Sequence, residues 1–301
     1  IVVEQGPETP LEFLVVRFRL LRPAGLGGDF RFRPFRGEYW IAPAEGVPVA
    51  PIIVAHRGLA LEAPENTLSA YAAALDLGFG IEIDPRLTAD GQAVIVHDDS
   101  VDRTTDGSGN VEDLSLAQIE QLDAGSWFDP VFAGEPVPTL DMVLGLVEER
   151  APKALVMLDI KSVDPYMETL VIESLEVYGL LSGSVGIGGL IYSAQMRERY
   201  HALEPRFPLA RCVESSHELE SAIADPCVDW IYLRYIPSAE DVRQVQQAEK
   251  KVVSSAPPVM YRNPDNWRCV REAGVDAMIT DHQLECRRVR RDARQVRPRA
   301  G

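Results

Sequence analysis

What this chain lacks narrows it first. In its 301 residues no stretch approaches the roughly 20 uninterrupted apolar residues of a bilayer-spanning helix, so no transmembrane segment is expected. Its four cysteines, at 212, 227, 269 and 286, lie far apart and form no C-x-x-C pair. Neither a zinc site nor a dense disulfide framework is therefore indicated, and buried free thiols are the reading. Basic residues are scarce: 30 Lys and Arg against 46 Asp and Glu leave a net charge of −16. No nucleic-acid partner is expected, because phosphate affinity rests on basic surface. No repeat with a clear signature appears, and no charged segment followed by an apolar core opens the chain. The compartment favoured is cytoplasmic, with secretion left open because the first residue is Ile1; the oligomeric state is unassigned.

What is present is ordinary globular material, 46% hydrophobic and 25% charged. The length suits one α/β barrel of about 250 residues with an added segment. Residues 1–50 read differently from the rest. Apolar and Arg residues partly alternate over 14–20 and 30–36, around a Gly-rich stretch at 24–29, which predicts a β-hairpin extension or the remnant of an upstream β domain. At the other end, residues 287–301 carry seven Arg and one Asp, leaving 23 basic and 45 acidic groups in 1–286. Such a charge block predicts a disordered, solvated tail. The domain expected between these ends spans 51–286.

Within it, strand-like and helix-like runs alternate. β-rich apolar runs fall at 52–55, 81–84, 93–97, 155–160, 189–192, 208–212, 229–233, 251–254 and 277–280, and helical patterns at 66–77, 138–149, 165–178, 194–203, 216–224, 238–250 and 264–273. The alternation predicts βαβ units and a TIM-type (β/α)8 barrel, with nine candidate strands where eight are wanted. Residues 98–137 form a long insertion, of the kind that is often functional.

The chemistry sits where the apolar runs stop. The run 52–55 leads into His56 and Arg57. Glu82 and Asp84 alternate with Ile81 and Ile83 and so share one strand face. The run at 93 ends in His97 and Asp98, and 156–158 leads into Asp159 and, two residues on, Lys161. Burying such groups unpaired costs several kcal/mol each, roughly speaking, whereas strand ends opening into a cleft avoid that cost. Glu82, Asp84 and Asp159 are hard oxygen donors, suited to Mg²⁺ or Ca²⁺ rather than to zinc. Without a cation three converging carboxylates repel one another. His56 and His97 are two of only five histidines, and paired imidazoles divide acid and base roles near neutral pH. Arg57 and Lys161 suit a phosphoryl group. The set reads as metal-assisted phosphoester chemistry.

The motifs that carry this set are HRG at 56–58, APENT at 63–67, GFGIEIDPRLTADGQAVIVHDDSVDRTT at 78–105, GSGNVEDLS at 107–115, LDAGSWF at 122–128, VPTLDMVL at 137–144 and LDIKS at 158–162. In this order they resemble the glycerophosphodiester phosphodiesterase family. A weaker echo, AGVDAMITD at 273–281, resembles that family's last barrel strand. The resemblance implies a TIM-type barrel and release of sn-glycerol 3-phosphate and an alcohol, through attack of a glycerol hydroxyl on phosphorus and opening of a cyclic intermediate by water. It implies acid–base roles for His56 and His97, divalent-metal ligation by Glu82, Asp84 and Asp159, and phosphate contacts from Arg57 and Lys161. Two departures stand out. Asp159 replaces the family's usual Glu, one methylene longer, and residues 251–260 lack the family's aromatic W-T-x-N signature, so the alcohol does not transfer. Hydrolysis of a lipid-bearing diester, as by a lysophospholipase D, and a weakly catalytic phosphoester-binding barrel are the alternatives. Asn66 and Thr67 are expected to cap a helix starting at 68. Glu65 and Asp98 are each left between a supporting and a structural role, and Trp127 and Phe128 between a lid and an anchor of the insertion.

Overall fold

A computed structural model of the chain describes residues 50–188, 192–255 and 257–295. The hairpin expected within 1–50 lies outside them. In chain order the elements begin with strand β1 (Ile52–Ala55), helix α1 (Leu68–Asp76), strand β2 (Gly80–Ile83) and the hairpin strands β3 (Pro85–Leu87) and β4 (Ala93–Ile95). Next come α2 (Leu116–Ile119), α3 (Leu140–Arg150), β5 (Val156–Ile160), α4 (Pro165–Val177) and β6 (Ser184–Gly188). The second half runs α5 (Ala194–Leu203), β7 (Ala210–Val213), α6 (Leu219–Ile223), β8 (Trp230–Leu233), α7 (Ala239–Gln247), β9 (Lys251–Ser254), α8 (Pro264–Ala273), β10 (Ala277–Thr280) and α9 (Gln283–Gln295).

Eight strands form one parallel sheet in the order β6-β5-β2-β1-β10-β9-β8-β7. A parallel bridge from Gly186 to Leu209 joins its two ends, with the Gly186 amide donating to the Pro208 carbonyl at 2.9 Å. The architecture is the expected TIM barrel, closed at one seam by this bridge.

Alternation along the strands sorts the side chains. Val54, Met157, Val185, Ile187, Cys212, Trp230, Tyr232, Val253 and Ile279 fill the barrel interior, while Ile53, Ile81, Ile83, Leu158, Ile231 and Leu233 pack outward against the helices. Burial on both faces explains why these strands read as nearly continuous apolar runs. The helices start on polar caps: Thr67 accepts from the Ala70 amide before α1, Thr139 from the Met142 amide before α3, and Ser238 closes a capping box on α7. Pro165 and Pro264 occupy the first turns of α4 and α8 behind Asp164 and Asn263, and Gly274 at φ +92° ends α8.

Two expectations are corrected. The run at 93–97 is no barrel strand: Ala93–Ile95 pairs antiparallel with Pro85–Leu87 in a two-stranded hairpin beyond β2, which accounts for the ninth candidate. The strand predicted at 189–192 falls almost wholly outside the described residues, and a strand that was not predicted, β6, occupies Ser184–Gly188. Its Gly-rich sequence conceals a strand that is legible only through its pairing with β5. The Arg-rich stretch from 287, expected to be a disordered tail, is helical through Gln295 in α9. Of the four cysteines, Cys212 and Cys286 are buried, Cys227 is half-buried and Cys269 exposed.

The insertion has an apolar core of its own, in which Val101, Val111, Ile119, Ala124 and Val137 pack with Val94 and Val96 from the hairpin. Trp127 belongs to this unit. Its indole N–H donates to the Ala124 carbonyl and its ring meets Phe128 edge-on, while Trp127 itself is 41% exposed.

Candidate active site

The alternation that fills the barrel also builds its mouth. Two residues beyond an interior side chain, the next inward position is polar: Val54 is followed by His56, Met157 by Asp159 and then Lys161, Tyr232 by Arg234, and Ile279 by Asp281. On β2, Gly80 is followed by Glu82 and Asp84. These groups stand at the C-terminal ends of the strands; His56, Asp159, Lys161, Arg234 and Asp281 line, with His97, a cleft of about 850 Å³, and Glu82 and Asp84 are buried beside Asp159. His97 arrives by another route, from the end of the β3–β4 hairpin. Arg86 on β3 fixes that end by donating to the His97 carbonyl at 2.8 Å.

Glu82, Asp84 and Asp159 offer oxygens that all lie within 4.8 Å of one another. Asp159, although shorter than the family's Glu, therefore reaches the cluster. Gly188 gives it room, since a Cβ built there would lie 2.2 Å from Asp159 Oδ1. Glu82 and Asp84 are buried. Burial, reinforced by the Asp84 charge, pushes the Glu82 carboxyl up. Burial acts the same way on Asp84, but Lys161, His97, the Asn66 amide and Arg57 outweigh it and hold that carboxyl down. Lys161 Nζ lies 3.0 Å from Asp84 Oδ1 and 2.7 Å from Asp159 Oδ2. Asp84 Oδ1 has no hydrogen bond despite its burial. Three oxygen donors, one of them a buried oxygen with no other partner than the Lys161 charge, fit a hard divalent cation.

Each imidazole is held by a carboxylate. His56 Nδ1 donates to Asp281 Oδ1 and His97 Nδ1 to Asp98 Oδ1, both at 2.7 Å. Burial disfavours a charge on His56, yet the Asp281 hydrogen bond and the Glu82 charge prevail, and its proton affinity is raised. With Nδ1 occupied, Nε2 is the nitrogen each ring has left for a ligand in the cleft.

The Arg57 backbone is left-handed, φ +56°, and its amide donates to Glu82 Oε2 at 2.9 Å. The next residue must be glycine: at φ +82°, a Cβ on Gly58 would lie 2.8 Å from Ala70 Cβ and 2.9 Å from the Ala70 carbonyl carbon. This turn brings His56, Arg57 and α1 together. The Arg57 side chain donates from Nη1 to Glu65 Oε1 at 2.9 Å, and its Nε stands 3.7 Å from Asp84.

All seven residues singled out in the sequence meet at this mouth. Others were not legible there. Asp281 is 225 positions from the histidine it holds. Asn66 caps nothing; its amide donates to Asp84 Oδ2 at 2.8 Å and its carbonyl accepts from the Tyr71 hydroxyl. Arg234 and the aromatic wall of Tyr192, Tyr232 and Tyr261 line the opposite side of the cleft. Extending the strand alternation by one step would have found Arg234 and Asp281.

Comparison with known proteins agrees with this geometry. The glycerophosphoryl diester phosphodiesterase family profile matches residues 56–285. The chain belongs to this family. A glycerophosphodiester phosphodiesterase of Caldanaerobacter subterraneus subsp. tengcongensis is 35% identical over 239 residues, 76% of this chain and 93% of that protein. YhdW of Bacillus subtilis is 41% identical over 163 residues, or 52% of this chain, and the match spans 64% of that relative's length. Among solved structures, a glycerophosphodiester phosphodiesterase from Agrobacterium tumefaciens aligns with a TM-score of 0.66 and 27% identity, covering 77% of this chain and 97% of that one.

Proposed function

We propose that this protein hydrolyses glycerophosphodiesters to sn-glycerol 3-phosphate and an alcohol, with a divalent cation, Mg²⁺ or Ca²⁺, held by Glu82, Asp84 and Asp159. The observation that carries the reading is the meeting of three carboxylates within 4.8 Å, one of which, Asp159, lines the same cleft as both histidines. A cation bound there would polarise a phosphoryl oxygen and offset charge developing on it. Arg57 and Lys161, which face the same cleft, receive the phosphate oxygens. They are already ordered by Glu65, Asp84 and Asp159, so little reorganisation accompanies binding. His56 and His97 handle protons: one imidazole takes the proton of the attacking hydroxyl and the other delivers a proton to the leaving alkoxide. Asp281 and Asp98 keep both rings in the orientation that leaves Nε2 for this exchange.

A second reading has one observation in its favour. Leu61, Tyr192 and Tyr261 line the cleft yet are 53%, 60% and 66% exposed, an apolar lip that suits a lipid-bearing diester. Turnover of glycerophosphocholine compared with lysophosphatidylcholine separates the two.

The test of the main reading is release of glycerol 3-phosphate from glycerophosphocholine before and after chelation. Turnover is expected to vanish with EDTA and to return with Mg²⁺ or Ca²⁺. His56→Ala and His97→Ala are each expected to lose about 10²- to 10⁴-fold in kcat with the fold intact. Undiminished turnover in EDTA would remove the carboxylates from the reaction, and full activity in either variant would remove that histidine.

A further inference from the structure

Arg103 lies in the insertion, beyond every residue given a chemical role so far. Its guanidinium is shared between two carboxylates. Nε donates to Asp98 Oδ2 at 2.6 Å and Nη2 to Asp98 Oδ1 at 3.1 Å. Nη1 and Nη2 donate to Glu65 Oε2 and Oε1, both at 2.8 Å. All three nitrogens are engaged, and each carboxylate is gripped twice. Only the planar fork of arginine makes this arrangement; a lysine ammonium supplies the charge without the geometry.

Each carboxylate leads directly into the cleft. Asp98 holds His97 and Glu65 holds Arg57. The chain of contacts therefore runs from an imidazole, through Asp98, Arg103 and Glu65, to the guanidinium that faces the phosphate position, and it joins two loops far apart in sequence. Arg103 stands on a rigid support. The Val101 amide donates to the Gly109 carbonyl, the Thr105 hydroxyl to the Val101 carbonyl, and Asp102 accepts from the Gly109 amide. The Val101 and Val111 side chains beneath are buried in the core of the insertion.

Resting on the phosphodiesterase reading of the cleft, we propose that Arg103 is a positioning residue that locks the proton-transfer arm (His97) and the phosphate arm (Arg57) into one unit, which makes the 98–137 insertion part of the catalytic apparatus. The guanidinium touches no substrate. It acts on kcat through Asp98 and on KM through Glu65.

Steady-state kinetics on glycerophosphocholine with the metal-loaded enzyme test this. Asp98→Asn is expected to lower kcat by about 10²-fold with KM near wild type. Glu65→Gln is expected to raise KM by about tenfold with a smaller change in kcat. Arg103→Gln should show both effects, and Arg103→Lys should recover only part of either. The double variant Asp98→Asn/Arg103→Gln should be no slower than the worse of its single variants, because the residues act as one unit. The side chain is 44% exposed, so the melting temperature of Arg103→Gln should stay near that of wild type. Wild-type kcat and KM in Arg103→Gln would overturn the inference, as would losses that follow a fallen melting temperature while the folded fraction turns over normally. A wild-type chain that releases no glycerol 3-phosphate at all would instead sink the functional reading.

Discussion

Gly188 shows how a residue without a side chain serves the metal cluster. It ends β6 at φ +78°, beside Asp159. A methyl group there would overlap Asp159 Oδ1 at 2.2 Å and crowd the Ile160 amide at 2.7 Å, forcing the carboxylate to turn away. Gly188→Ala is therefore expected to weaken divalent-cation binding by about 10- to 100-fold, the range seen when a ligand's support is removed. The positive φ adds about 1–3 kcal/mol of strain. Calorimetric titration with Mg²⁺ and Ca²⁺ measures the affinity, and unchanged binding would show that Asp159 does not need this space. The sequence displays Asp159 but not its dependence on Gly188, because the two meet only when β5 and β6 pair.

At the scale of elements, several barrel strands are legible from their composition alone. Ile52–Ala55, Lys251–Ser254 and Ala277–Thr280 stand where their composition predicts them. Legibility fails where local composition and pairing part company. The run ending in His97 is as apolar as a barrel strand, yet it folds back on Pro85–Leu87 as a hairpin. The Gly-rich Ser184–Gly188 becomes a strand because β5 offers it a ladder. The site shows the same limit. His56, Glu82, Asp84 and Asp159 are visible because polar groups stop apolar runs, and Asp281 follows from the same alternation, whereas Arg103 matters through partners that no local pattern names. The insertion provides the element-scale test. Ile119 is fully buried in its separate core, and truncating such a side chain costs about 2–5 kcal/mol. Ile119→Ala is expected to loosen residues 98–137 ahead of the barrel, seen as faster amide exchange there, and to lower kcat through Arg103. Exchange that quickens uniformly across barrel and insertion would mean the two unfold together.

For the molecule as a whole, the cluster sets a pH dependence. Glu82 is pushed up by burial and the Asp84 charge, and His56 is raised against its burial by Asp281 and Glu82. Each binds its proton more tightly in the folded than in the unfolded chain, so the associated stability is present at low pH and lost as pH rises. Asp84, held down mainly by Lys161 against its burial, contributes with the opposite sign. Its share is complete above the ordinary carboxylate range and does not offset the loss. In EDTA the melting temperature is expected to fall between about pH 5 and about pH 8. Divalent cations should reverse this, since the ion competes with protons for the same oxygens. At a hundredfold excess over Kd the gain is about 2.7 kcal/mol. A melting temperature indifferent to Mg²⁺ and Ca²⁺ near the alkaline end of this range would count against the cluster as a cation site.

The seam between β6 and β7 is the most sparsely paired junction of the cylinder. Every other neighbouring pair shares two or more aligned residues, whereas these two strands meet at the single Gly186–Leu209 bridge. The strands that lead to His56, Asp281 and the three carboxylates, β1, β2, β5 and β10, stand side by side, with β6 alone between β5 and this junction. Because β6 also ends in the glycine against which Asp159 rests, any loosening of this junction would be felt first by the acidic cluster rather than by the far wall of the cylinder.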